Sequence, residues 1–213
     1  MSYLLYDEDG NVTNPKELQN RAIWYQHGES REKSFVALYG DKHEVILNPN
    51  KKFDHSAPDL MFKGDLADLK CQETPIFIAG RYGLDPTYAV TFNLKDALNY
   101  GRWGNNYERL SIIYWVEWIA TKMIMYGKEY RVKKLKGVWH ASFQQIDEMR
   151  LKSPIHWYRQ RNRTLEKNHK QSEILAKFEP RLIEGDNVWS IRGAQDNAAC
   201  SYIFDLRKLK RLL

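Results

Sequence analysis

Cysteine is scarce: Cys71 and Cys200 are the only two in 213 residues, and they form no CxxC pair. That excludes a disulfide framework and a thiolate zinc site, and it fits a reducing, cytoplasmic setting. Long apolar runs are missing as well, so nothing approaches the roughly 20 residues of a membrane span. The opening MSYLLYDEDG is acidic and lacks the basic and apolar regions of a secretory signal. Six scattered histidines without HxH or HExxH spacing argue against a zinc hydrolase. GxSxG, P-loop and GxGxxG motifs are absent, which argues against serine hydrolases, NTPases and dinucleotide enzymes. With no repeat, low-complexity tract or linker, one domain spanning residues 1–213 is the simplest organisation.

What the chain does have is unevenly placed basic charge. The formal net charge is +6, yet residues 128–170 alone hold 12 basic and 4 acidic side chains, leaving the remainder slightly acidic. Such a region attracts a polyanion, or else forms an ordinary solvated face. A core at about 29–120 followed by a basic part at about 121–213 is the expected division of labour.

Local signals give a mixed α/β order. Asn14-Pro15-Lys16-Glu17 reads as a helix start running to about Gln26, with a pause at Gly28. A second helix is expected from Glu29 to Tyr39, closed by Gly40. On it Glu32, Phe35, Val36 and Tyr39 share one stripe, which puts a carboxylate on the core-facing side. Strands are expected at 44–47, 60–62 and 66–71, the last two joined in a hairpin by Lys63-Gly64-Asp65. A strand at 87–92 leads into a helix with Asn93 at its cap and Asp96 in its first turn. LSIIYWVEW, 110–118, reads as a strand covered on both faces. Ser142 to Gln145 is a capping box that opens another helix. Residues 157–170 read as a surface loop or arm, and the tail resumes strand-like patterning with Asp205 as a cap.

The informative segment is PDLMFKGDLADLKCQ, 58–72. Period-2 alternation puts Asp68, Lys70 and Gln72 on one face and Ala67, Leu69 and Cys71 on the other. Folding the hairpin at Lys63-Gly64 brings Asp59 towards Asp68. Two carboxylates, with the Leu69 carbonyl between Asp68 and Lys70, suit Mg²⁺, for which Mn²⁺ can substitute. Such a cation activates water and polarises a phosphodiester, and an adjacent ammonium offsets the charge that develops.

Pro58-Asp59 followed by Asp68-Leu69-Lys70 resembles the PD-(D/E)xK nuclease superfamily of restriction enzymes, resolvases and related phage and repair nucleases. The resemblance covers roughly residues 29–100. It implies an α/β (α+β) fold of the restriction-endonuclease-like type, with a central mixed β-sheet flanked by helices. It also implies a glutamate on the first core helix, for which Glu32 is the match and Glu29 the second choice, and a polar residue after the lysine, here Gln72.

The expectation is a Mg²⁺-dependent DNA endonuclease, bacterial or phage-encoded, with Asp59, Asp68, Lys70 and Glu32 catalytic. Asp59, Asp68 and Leu69 are the expected metal ligands. Gln72, Arg81, Lys133, Lys134, Lys136, Arg159, Arg161 and Arg163 are the expected nucleic-acid contacts, with Arg81 near the site or merely on a turn after a buried crossing. A homodimer is expected if cutting is sequence-specific. An inactive nucleic-acid-binding module on the same fold and an RNA-directed nuclease are the alternatives.

Overall fold

The computed structural model describes residues 3–13, 21–54, 57–102, 109–157, 178–184, 187–188 and 200–213. The elements, in chain order, are β1 (Tyr3–Tyr6), β2 (Val12–Thr13), α1 (Arg21–His43), β3 (Val45–Leu47), β4 (Leu60–Phe62), β5 (Asp65–Gln72), β6 (Ala89–Asn93), α2 (Leu94–Arg102) and β7 (Ser111–Glu117). There follow β8 (Lys122–Met125), β9 (Lys128–Arg131), β10 (Lys136–Ser142), α3 (Phe143–Arg150), β11 (Ile155–Trp157), β12 (Ile183–Glu184), β13 (Asn187–Val188), β14 (Cys200–Asp205) and β15 (Lys210–Arg211). The fold is mixed α/β, and the largest sheet has the order β15-β10-β7-β5-β4-β3. No helix among the described residues is long and apolar enough to cross a membrane.

Helix α1 differs from expectation: it runs unbroken through Gly28 and Gly40 to His43. A glycine inside a helix costs about 1 kcal/mol, a cost that packing readily offsets. Phe35 and Tyr39 pack around Trp115 of β7, with ring centroids at 5.6 and 6.0 Å. Gly40 is needed for close approach and not as a cap, because a Cβ there would lie 3.0 Å from the Val45 carbonyl. The chain leaves the helix at Glu44, whose φ is 54°. The helix start expected at Asn14 lies outside the described residues.

The hairpin forms as the turn residues demand. Lys63 and Gly64 both take positive φ, 52° and 84°, and β4 pairs antiparallel with β5 in the register Leu60↔Ala67. β3 pairs antiparallel with β4, and β5 then pairs parallel with β7, Asp68 opposite Ile112 and Lys70 opposite Tyr114. Parallel pairing requires a long crossover, and here β6 and α2 supply it.

Strand β7 is covered on both sides, as its apolar run requires. Ile113 and Trp115 join Ala67, Leu69 and Phe35 in the core under α1, while Ile112, Tyr114 and Val116 join α2, β6 and β14 in the core on the other face. The alternation of β5 follows suit, with Ala67, Leu69 and Cys71 facing α1.

Strands β1, β8, β9 and β10 lie where sequence patterning pointed to no element. The first three join β2 in a four-stranded sheet, order β2-β1-β8-β9, and β10 extends the largest sheet beside β7. β14 pairs with β6 in a three-stranded sheet, so strands from beyond residue 121 complete both cores. Helix α3 begins as its capping box requires, Ser142 Oγ accepting from Gln145 N at 3.1 Å. Asn93 is used differently: its amide oxygen accepts the Ser201 hydroxyl at 2.8 Å, tying α2's start to β14.

Candidate active site

β4 stops pairing with β5 at Leu60↔Ala67, which leaves the next free amide of β5, at Leu69, without a strand partner on that side. Asp59 supplies one: its Oδ2 accepts from Leu69 N at 3.1 Å. The aspartate therefore lies at the lip of the sheet, where β4 peels away, and can be reached from both faces. Its other oxygen, Oδ1, is bonded by the Lys51 ammonium.

On the α2 face, Lys70 Nζ stands 2.6 Å from Asp68 Oδ2 and 2.5 Å from Asp96 Oδ2. The Lys70 ammonium also lies over the Phe92 ring, 5.5 Å from its centroid. Asp68 is only 3% exposed. Burial pushes its carboxyl up to about 6; Lys70 pulls in the opposite direction, and the Asp59 carboxylate adds to the rise. Burial would lower Lys70, but Asp68, Asp96 and Asp59 together hold it well above the ordinary lysine value. Lys70 thus stays charged, and its chemistry is electrostatic. Tyr100 of α2 is also held well above its ordinary value, by burial and by Asp68 and Asp96.

On the α1 face, Lys51 Nζ also reaches Glu32 Oε1 at 2.6 Å. Lys51 belongs to a 3₁₀ turn, Pro49–Lys52, capped by the side chain of Asn48. Four carboxylates, Glu32, Asp59, Asp68 and Asp96, thus face two ammoniums, Lys51 and Lys70, with a formal excess of two negative charges. Two further acceptors are available. Asp68 Oδ2, which takes the Lys70 ammonium, keeps a second lone pair, and the buried Tyr114 hydroxyl, on the same face of the sheet, has no hydrogen-bond partner.

Among the described residues no three Asp, Glu, His or Cys side chains converge as a ready-made metal cluster. The donor set still suits Mg²⁺, which keeps several waters and needs only one or two carboxylates. Asp59 and Asp68, with the Leu69 carbonyl between β5's Asp68 and Lys70, are the residues that fit it. Thiol chemistry is disfavoured, since burial pushes Cys71 up to about 12.

The sequence-predicted residues divide clearly. Glu32, Asp59, Asp68 and Lys70 belong to one connected group. Lys51 and Asp96 complete it without having been anticipated: Asp96 was legible only as a helix first-turn acid, and nothing in the sequence singled out Lys51. Gln72 lies on the Lys70 face but is committed to β6, its Nε2 donating to Thr91 O at 2.8 Å and its Oε1 accepting from Thr91 N at 3.3 Å. Arg81 is exposed on a 3₁₀ turn whose Ala79 is buried against Ala89 and Ile203. Lys133, Lys134 and Lys136 are exposed on and beside the β9–β10 connection; Lys134 pairs with Glu8 and Lys136 with Glu117, not with the site. Arg159, Arg161 and Arg163 lie outside the described residues.

Compared with protein-family models, with curated proteins and with solved structures, the chain gives no significant match.

Proposed function

We propose that this chain is a metal-dependent endonuclease that hydrolyses DNA phosphodiester bonds through a PD-(D/E)xK-type site. One observation carries the reading: Asp59 bonds the Leu69 amide at the point where β4 leaves β5, facing Asp68 and Lys70 on the neighbouring strand. The order α1, the β3-β4-β5 meander, α2, then β7 parallel to β5 supports the reading, since it gives the central mixed sheet flanked by helices that the resemblance implies. Glu32 on α1, linked to Asp59 through Lys51, stands where that order calls for a helix glutamate.

Asp59, Asp68 and the Leu69 carbonyl would hold Mg²⁺ or Mn²⁺. The cation supplies Lewis acidity at the phosphate and lowers the pKa of water. Asp68 provides its full negative charge only when ionised, so binding strengthens above its value of about 6. Lys70, kept protonated by its acids, donates hydrogen bonds to the attacking water and offsets charge on the pentacovalent phosphorus. Asp96, from α2, holds the Lys70 ammonium together with Asp68 and so orients it. The basic, exposed Lys133 and its neighbours provide phosphate contacts that steer DNA to the chain.

The test is incubation of wild type, Lys70→Ala and Asp59→Asn with supercoiled plasmid, linear duplex, single-stranded DNA and RNA, in Mg²⁺ or EDTA. Metal-dependent cutting of DNA by wild type alone is the expected result. Cutting of RNA alone would reassign the substrate. Salt-sensitive binding by all three proteins without any cutting would replace the enzyme with an inactive binding module.

A further inference from the structure

Both oxygens of Asp59 are already engaged. Oδ2 takes the Leu69 N–H and Oδ1 takes the Lys51 ammonium, which also holds Glu32 Oε1 at 2.6 Å. Each carboxylate oxygen keeps a second lone pair, so a cation can share Oδ2 with the Leu69 N–H; the Lys51 charge, bonded to Asp59 and Glu32 together, is what stands in a cation's place and repels it. The Leu69 N–H is part of β5, locked between β4 and β7, and cannot leave without breaking the sheet. Lys51 is on a turn, its side chain is 23% exposed, and its four-carbon stem can swing without moving the backbone.

We propose that Lys51 is the resident counter-ion of the Glu32–Asp59 half of the site, competing with a divalent cation and leaving when it binds. This inference rests on the metal-dependent reading above.

The position of Lys51 is built, not incidental. Asn48, 4% exposed, makes three bonds that join the lysine's turn to the aspartate's segment. Its Oδ1 accepts from Asn50 N at 3.0 Å and so starts the 3₁₀ turn. Its Nδ2 donates to the Pro58 carbonyl at 2.7 Å, and its backbone N–H donates to the Asp59 carbonyl at 3.0 Å. Pro49 is the first residue of the turn and presets its φ. The turn and Asp59 therefore move as one unit, and the ammonium is delivered to both acids from a fixed base.

The electrostatics explain why a cation should be kept there. Glu32 and Asp59 are 12% and 18% exposed at their side chains, so their mutual repulsion is only partly screened by water. An ammonium neutralises half of that pair and lets the apo protein fold with the two carboxylates together. A divalent cation neutralises all of it. The exchange releases Lys51 to water at the lip of the site, where its desolvation cost is recovered. Lys70 is not exchangeable in this way, because it is held on the strand itself between Asp68 and Asp96.

The decisive experiment is calorimetric titration of Mn²⁺ and Mg²⁺ into wild type, Lys51→Met and Lys51→Arg, without substrate. Lys51→Met should bind Mn²⁺ about tenfold more tightly or better, since the competitor is gone and the repulsion it relieved remains. Lys51→Arg, which keeps the charge, should bind no more tightly than wild type. In wild type carrying ¹³C,¹⁵N-lysine, saturating Mg²⁺ should move the Lys51 Cε and Nζ resonances to those of a solvent-exposed lysine and leave Lys70 in place. That measurement needs no variant to fold. Equal or weaker Mn²⁺ binding by Lys51→Met, or an unmoved Lys51 resonance in wild type that does bind Mg²⁺, overturns the inference and leaves the nuclease reading standing. Absence of divalent binding by wild type and both variants overturns the metal-dependent reading and this inference with it.

Discussion

Two acid–lysine–acid groups meet at Asp59, and they are built in opposite ways. Asp68, Lys70 and Asp96 come from a strand and the first turn of a helix, and Asp68 is sealed from water. Glu32, Lys51 and Asp59 come from a helix, a 3₁₀ turn and the residue before a strand, and Lys51 stays partly exposed. In the first group burial raises the Asp68 carboxyl, while the acids around Lys70 outweigh burial and lock the ammonium in its charged form. In the second, the ammonium comes from a turn outside the sheet, as the proposed exchange requires. A closed half and a more open half are what the proposed metal-dependent site would use, the first to hold a charge pattern and the second to admit a cation.

The sharpest test of that contrast is to remove each lysine in turn. Lys70→Ala should abolish metal-dependent cutting and cost about 3 kcal/mol in urea denaturation, because the buried Asp68 carboxylate loses its partner. Lys51→Ala should cost less, about 1 kcal/mol, because Lys51 is itself partly exposed and neither of its acids is as closed off as Asp68. Equal losses for the two variants would erase the distinction.

Acidity probes the buried half alone. Asp68's folded value of about 6 exceeds its ordinary 3.8, so the folded chain holds that proton more tightly than the unfolded one. The stability it contributes is complete below the ordinary value and is lost as pH rises through about 6. Between pH of about 4 and about 7, wild type should lose on the order of 3 kcal/mol relative to Asp68→Asn in chemical denaturation. A flat difference between the two proteins across that range would contradict the burial argument.

Gln72→Ala separates position from participation. It breaks the amide's bonds to Thr91 and should cost about 1–2 kcal/mol of stability while leaving Mn²⁺ affinity unchanged. The smallest effect belongs to the surface. Lys133→Ala should leave the melting temperature alone and reduce the salt dependence of DNA binding by about one ion, measured as the log–log slope. An unchanged slope would remove Lys133 from the interface.

Local patterns were legible where a short-range rule decides them. Lys63-Gly64 determined the hairpin, the 2-residue period of 66–72 determined which side chains share a face, and Ser142 with Gln145 determined the start of α3. Gly28 and Gly40 misled, because helix propensity yielded to the packing of Phe35 and Tyr39 on Trp115. β1, β8 and β9 were not legible, since their side chains are divided between a small core and solvent without clean alternation, and β10 was not, since it is covered on both faces, Val138 in one main core and Trp139 and Ala141 in the other.

The sequence by itself determined that Asp68 and Lys70 lie two residues apart on one face of a strand that hairpins back towards Asp59, because residue spacing and turn chemistry act over a few bonds. Only the tertiary structure decided that Asp96 would grip Lys70 from α2, that Gln72 would be spent on Thr91, and that Lys51 would sit between Glu32 and Asp59. Those contacts join residues 8 to 26 positions apart, through a crossover and a capped turn. They depend on how whole elements pack, which no local pattern of residues encodes.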